Sequence, residues 1–391
     1  MDNNKKNTKI KICMLLFSSG MGGGEQSVYN LIKGIDKKKF EIYLITNRLH
    51  LNNFKNLVKP SNIFTIRLFY KVSNYKIIRF LKRYISKVFD FKKIIIKKRI
   101  KDILKFINNN NINILHSHLT YDLYLSSIIK QQIKNIKTIY TVRSFINFDD
   151  REKISYGLNK RDTISSLSKI DYFTFISDSL GSFMNEKFSF INKNNSIIIE
   201  NSLLEEDFRN IKIKSNNKDV KIISFFGGEK KVKGGKYLIE ALQIFDRKYP
   251  EIRYQFQVFG KVKNKNKFYN QQKTEKIRIM GYMSKSKILD YMNSSDIVVM
   301  PSISEGFGNV AQEAKALNVP IIVSNIPALT NIIENKKNGL ICELNPSLIA
   351  DSIYELLTNI DLINTIKTNS NSVNWIGDKV REFEQIYNQI N

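Results

Sequence analysis

Short apolar runs alternate with amphipathic stretches along this chain of 391 residues. KIKICMLLF, FEIYLIT, NINILHSH, NIKTIYTV, KIDYFTFIS and SIIIEN have the length and residue types of strands, and EQSVYNLIKGI between the first two has helical spacing. Strands that alternate with helices predict a parallel sheet covered on both faces. The rhythm starts again with DVKIISFFGG, GGKYLIEALQIFDRKY, YQFQVFG, EKIRIMG, KSKILDYMNSS, DIVVMPS and PIIVSN. Between the halves lies a polar, lysine-containing stretch, IKIKSNNKDVK, with the character of a linker. A single core rarely grows beyond about 250–300 residues, so length agrees with two domains.

The pattern therefore predicts an α/β protein of two doubly wound, Rossmann-like domains, 1–210 and 211–371, facing a cleft. The segment 372–391, containing NWIGDKVREFEQIYNQI, is expected to be a helix returning toward the first domain through Trp375, Phe383 and Tyr387. In such sheets ligands gather at the carboxyl ends of strands, beside helix N-termini, so those loops are where chemistry is sought.

Charge changes the picture in the first half. The net charge is +27, of which residues 1–210 hold +19 and residues 211–391 hold +8. From Lys71 to Phe106 there are 13 basic and 2 acidic residues, with Ile77, Leu81, Tyr84, Ile85 and Val88 on one helical face. A basic amphipathic helix of this kind suits an anionic membrane surface, and the alternative is a helix packed on its own domain with its lysines in solvent. Nucleic acid is not expected, because neither zinc-finger spacing nor an RNA-recognition signature accompanies the charge. No apolar run approaches the roughly 18 residues that cross a bilayer. Residues 1–17 read as a first strand, since the apolar run Ile12 to Phe17 is short for a secretion signal. Cys13 and Cys342 are too few for a disulfide framework, which fits a reducing cytoplasm. The expected place is cytoplasmic, peripheral on the inner face of the membrane.

Four loops carry candidate chemistry. SSGMGGGEQS joins a strand to a helix, and its glycines would let backbone N–H groups approach an anion, or would simply make a tight turn. Glu25 stands where a dinucleotide fingerprint has its last glycine, and the second strand ends at Asn47 where such a site wants an acid. The second loop follows NINILHSH, which holds two of the three histidines, His116 and His118; an imidazole there could bond a substrate oxygen, or be structural. A zinc site would need further ligands that the chain does not offer at matching spacing. In FFGGEKKVKGGKYLIEAL, Lys230, Lys231 and Lys233 precede a helix start at Gly234-Gly235, an arrangement suited to phosphate, or a solvated loop.

The fourth loop follows DIVVMPS. In SISEGFGNVAQEAKALN a helix is expected from about Gly308 to Leu317, with Glu305 just before its tip. Glu313 lies about five residues in, or about 7.5 Å along the axis. Two carboxylates so spaced, with glycine N–H groups between them, could hold one extended ligand made of sugar hydroxyls, diphosphate and ribose hydroxyls. Capping and the helix dipole would account for Glu313 and for Asn309 with Gln312, but not for Glu305.

At these residues the chain resembles the retaining glycosyltransferases of family four (glycosyl transferases group 1), which have the GT-B fold. E-G-F-G-N-V-A-Q-E from Glu305 to Glu313 matches the family's E-x7-E motif. GGGE, ILHSH, FISDSL, ENSLLEEDF and Lys233-Gly234 follow in family-like order over nearly the whole chain. The resemblance implies a hexosyltransferase that moves a sugar from a nucleotide-sugar donor, with UDP as the expected nucleotide, to a lipid-linked or cell-surface polysaccharide acceptor such as capsule or lipopolysaccharide. Glu305 would hold donor-sugar hydroxyls and govern transfer, and Glu313 would hold the ribose and govern affinity. Gly306, Phe307, Gly308 and Asn309 would contact sugar and phosphate, Lys233 would neutralise the diphosphate, Gly22 and Gly23 would cap it, and His118 would lie near the reacting sugar.

Two departures stand out. The family's usual Arg falls on Gly228, leaving its charge to Lys230 or Lys231, and Arg143 replaces a second histidine. No D-x-D occurs, so metal-independent transfer without a cofactor is expected, with charge stabilised by Lys233 and helix N-termini. The alternative reading is a nucleotide-sugar epimerase or a non-catalytic nucleotide-sugar-binding protein.

Overall fold

The computed structural model describes residues 9–17, 22–66, 91–145, 160–209, 211, 219–262, 276–370 and 373–391. The apolar face at 77–88 and the first glycine of SSGMGGGEQS lie outside them. The chain divides into two compact units, one of residues 1–200 with 377–391 and the other Asn201–Ile376.

The first unit holds seven strands, β1 Ile10–Leu16, β2 Phe40–Asn47, β3 Ile63–Ile66, β4 Ile114–Ser117, β5 Lys137–Val142, β6 Tyr172–Phe175 and β7 Ser196–Ile198. They pair in parallel in the order β3-β2-β1-β4-β5-β6-β7. Residues 12–16 of β1 are all buried, which is why this central strand reads as a continuous apolar run. Ile103 and Ile107 from the helix Phe91–Asn109 join Tyr121, Leu125 and Ile129 from the helix Thr120–Gln132 over Cys13, Leu15 and Leu115. Each such aliphatic side chain contributes about 1.5–3 kcal/mol by leaving water.

The closing helix Ile376–Ile390 buries Val380, Phe383, Ile386 and Tyr387, a stripe at helical spacing. It packs on the first unit: Tyr387 meets the Phe40 ring at 5.8 Å, and Glu384 accepts a 2.7 Å bond from the backbone N–H of Asp36. Trp375, which the sequence groups with Phe383 and Tyr387, belongs instead to the second unit. It pairs with Leu203 in a β-bridge and stands edge-on to Phe208 at 5.7 Å. Leu203 thereby draws residues 201–209 into the second unit, so the break falls at Glu200 and not at 210.

The second unit holds β8 Lys221–Phe225, β9 Tyr254–Phe259, β10 Ile277–Gly281, β11 Ile297–Met300, β12 Ile321–Ser324 and β13 Leu340–Cys342. The order is β10-β9-β8-β11-β12-β13, again parallel. Leu238, Leu242 and Phe245 from the helix Gly235–Lys248 pack with Ile349 and Ile353 from the helix Pro346–Thr358 over Ile223 and Val299. Each sheet reverses its strand order once, between β1 and β4 and between β8 and β11. Such a reversal opens a crevice at the carboxyl ends of the two strands. No described helix is long and apolar enough to cross a membrane.

Candidate functional site

In the second unit the loops after β8 and β11 interlock. Gly234, at φ 70°, precedes the helix Gly235–Lys248, and a Cβ on it would stand 1.7 Å from the carbonyl oxygen of Pro301. Only glycine permits both that backbone angle and that approach. The N–H of Ile303 then donates to the carbonyl of Val232 at 2.8 Å. The contact carries Lys233 to Glu305: its Nζ donates to both carboxylate oxygens, at 2.6 and 2.7 Å. Ser302 Oγ donates to Oε1 of the same carboxylate at 2.7 Å, and Ser324 Oγ donates to the Ser302 carbonyl at 2.5 Å. Glu305 is thus held by an ammonium and a hydroxyl, and its side chain is only 9% exposed.

The helix Asn309–Ala316 begins one residue after the expected start, with Gly308 capping it at φ 112°. Gly306 is half-buried and Phe307 buried, at the mouth of this turn. Asn309 accepts a 3.1 Å bond from the Asn201 amide through its side-chain oxygen. Glu313 is buried one turn further along and forms an ion pair with Lys285, the first residue of the helix Lys285–Asn293. Both acids of the E-x7-E motif are therefore paired with lysines. Lys233 was legible from its place before a helix. Lys285, Ser302 and Asn201 were not, because each partner lies elsewhere in sequence or, for Ser302, carries no signal beyond being a loop serine.

The departure at Gly228 has a spatial cause. A Cβ at this position would lie 2.9 Å from the carbonyl oxygen of Lys261, and its backbone is bonded to Phe259. An arginine side chain has no room to leave from here. Lys230 and Lys231 are exposed on the following turn.

In the first unit the loop ends of β1, β4 and β5 meet. Asp122, fully buried, accepts bonds from the N–H groups of Phe17 at 2.9 Å, His118 at 3.4 Å and Leu119 at 2.9 Å. One carboxylate thus ties β1 to β4 and starts the helix Thr120–Gln132. Burial pushes its pKa well above the usual carboxylate range, against the pull of those three N–H groups. Gly22 precedes the helix Gly23–Gly34, and its N–H donates to Glu25 Oε2 at 2.9 Å, so that amide is already engaged. Gly23 opens the helix, whose first-turn N–H groups lack intrahelical acceptors.

His116 and His118 are both buried, with ring centroids 4.0 Å apart. His116 Nδ1 is 2.7 Å from the Tyr387 hydroxyl and its Nε2 is 2.7 Å from Thr141 Oγ1. His118 Nδ1 is 3.1 Å from an Arg143 terminal nitrogen, and its Nε2 is 3.5 Å from Met14 Sδ. Burial, above all, lowers both imidazole pKa values well below the ordinary range; Arg143 adds to this at both, and at His118 so does the His116 ring. Burial also brings the Arg143 guanidinium down to about 10, against the charges of Glu25, Tyr140, Tyr387 and Asp122. Among the described residues no group of three His, Cys, Asp or Glu side chains is placed to hold a metal ion.

Two parallel sheets, each with candidate site loops at its strand-order reversal, make the GT-B fold. A solved structure of Anabaena Alr3699/HepE in complex with UDP and glucose shares this fold, with a TM-score of 0.71 over 97% of this chain and 99% of that one at 12% identity. Residues 207–373 match the family model of glycosyl transferases group 1. The chain is 27% identical to the uncharacterized glycosyltransferase MJ1178 of Methanocaldococcus jannaschii, over 67% of this chain and 70% of that one. It is also 27% identical to the capsular polysaccharide biosynthesis glycosyltransferase CapM of Staphylococcus aureus, over 49% of this chain and 50% of that one.

Proposed function

We propose that the protein transfers a sugar, with retention of anomeric configuration and without a metal, from a UDP-linked donor to a lipid-linked or cell-surface polysaccharide acceptor. The observation that carries the reading is the Lys233–Glu305 pair, held on interlocked loops at the carboxyl ends of β8 and β11. Lys233 neutralises the donor diphosphate as the leaving group gains charge, together with the first-turn amides after Gly308. Its release frees Glu305, still steadied by Ser302, to accept hydrogen bonds from the sugar hydroxyls. Glu313, beside Lys285, takes the ribose hydroxyls. The HepE complex with UDP and glucose supports the donor class, and CapM supports a surface-polysaccharide acceptor.

Thermal shift with a panel of nucleoside diphosphates and their sugars tests the donor, since a ligand of the native state raises the melting temperature. UDP and one UDP-sugar should give the largest shifts. Incubating that donor with lipid-linked acceptors should release UDP and yield a product of unchanged anomeric configuration by NMR. Inverted product removes the retaining mechanism, and UDP release that does not depend on acceptor removes transfer.

A further inference from the structure

We propose that Arg143 is a positioning residue, which locks His118 as a neutral imidazole with its proton on Nε2, so that His118 meets substrate as a hydrogen-bond donor and not as a base. Two neighbours of opposite character point to the same tautomer. A guanidinium has donors and no acceptor, so the nitrogen 3.1 Å from it, Nδ1, must be unprotonated. A thioether accepts and does not donate, so Nε2, 3.5 Å from Met14 Sδ, carries the hydrogen. An imidazolium would aim Nδ1–H at the arginine and set two cations side by side. The His116 ring, tilted against it with centroids 4.0 Å apart, adds a second reason to stay neutral, because it too would face a charge.

The surroundings hold Arg143 in this role. Gly24, in the first turn of the helix Gly23–Gly34, lies against its stem: a Cβ there would be in ordinary contact with Arg143 Cδ, at 3.5 Å. Among the described residues, the charged and titratable groups around the pair are Glu25 from that helix, Asp122 below the His118 N–H, Tyr140 on β5, His116 on β4 and Tyr387 on the closing helix. Glu25 and Asp122 favour a charged Arg143, and a charged Arg143 disfavours a charged His118. The inference concerns the tautomer and adds its role toward substrate only through the glycosyltransfer reading above.

The test uses the full chain with 15N-labelled histidine. With three histidines in the sequence, His118→Gln and His50→Gln complete the assignment. From pH 5.5 to 8.5, His118 is expected to show an unprotonated Nδ1, a protonated Nε2 and no titration. Arg143→Lys, which keeps a donor-only partner, should preserve that state, whereas Arg143→Met should bring in the Nδ1–H form. A His116 tautomer that stays as in the wild type, reporting its bonds to Tyr387 and Thr141, certifies that each variant is folded. A wild-type His118 that titrates near about 6.5 or carries Nδ1–H overturns the proposal, as does an Arg143→Met protein with the lock intact. If neither variant folds, the wild-type spectrum alone decides. A locked His118 in a protein that transfers no sugar would sink the functional reading and leave the tautomer assignment standing.

Discussion

Glu305 answers to two partners that differ in kind: Lys233 gives it a charge, and Ser302 gives it a direction. Removing one member of a poorly solvated ion pair leaves the other charge uncompensated. Lys233 is 24% exposed, which tempers the loss, so Lys233→Met should destabilise the second unit by about 1–3 kcal/mol in urea melts. Combining it with Glu305→Gln should recover most of that stability, while transfer stays absent in the double variant and in each single one. Recovered transfer would show that the pair is architectural. Glu313→Ala is expected to raise the donor KM by about tenfold with kcat little changed, the signature of lost uniform binding. An equal fall in kcat and kcat/KM would instead move Glu313 into the chemical step.

The elements that place these residues set their own terms. Gly234→Ala forces a Cβ onto the Pro301 carbonyl at a positive φ, so the β8 and β11 loops must part. A loss of at least about 2–3 kcal/mol, read as a lowered melting temperature, should accompany loss of transfer. His116 on β4 and His118 just beyond it predict a pH dependence. Their folded pKa values lie below the unfolded one, so below about pH 6.5 the unfolded chain binds protons that the folded one does not, and stability falls by about 1–3 kcal/mol per pH unit. Asp122, with its raised pKa, works in the opposite sense above about pH 4, because there the folded chain holds the extra proton. Urea melts at pH 7, 6 and 5 measure the net slope, and His116→Gln should flatten it.

At this scale the legibility of the sequence also has a physical boundary. Buried central strands such as β1, β4, β8 and β11 announce themselves as dense apolar runs, and their carboxyl ends locate Lys233, Glu305 and His118. The edge strands β3 and β13 escaped that reading. Four and three residues long, they are recognisable as strands by pairing with β2 and β12 and hardly by their own pattern. Lys285 escaped for a related reason, since only the packing of two helices makes it the partner of an acid 28 residues away.

For the molecule as a whole, the excess of positive charge in residues 1–210 motivates a membrane test. Flotation with vesicles containing anionic lipid is expected to carry the protein upward at low salt and to release it as ionic strength rises; neutral vesicles should leave it behind. Equal, negligible recovery with both vesicle types would remove the peripheral assignment.

The way the chain visits its two units also has a consequence for synthesis. Leu203 and Trp375 clasp the ends of the second unit together, so residues 201–376 form a loop inserted into the first unit. Domains generally fold as they emerge from the ribosome, N-terminal ones first. Here the order is reversed at its end: His116 Nδ1 lacks its tyrosine hydroxyl partner, and the Phe40 face its Tyr387 cover, until Tyr387 has been translated. The first unit to begin is the last to be completed, and a ribosome stalled inside the closing helix would hold a finished second unit and an open first one.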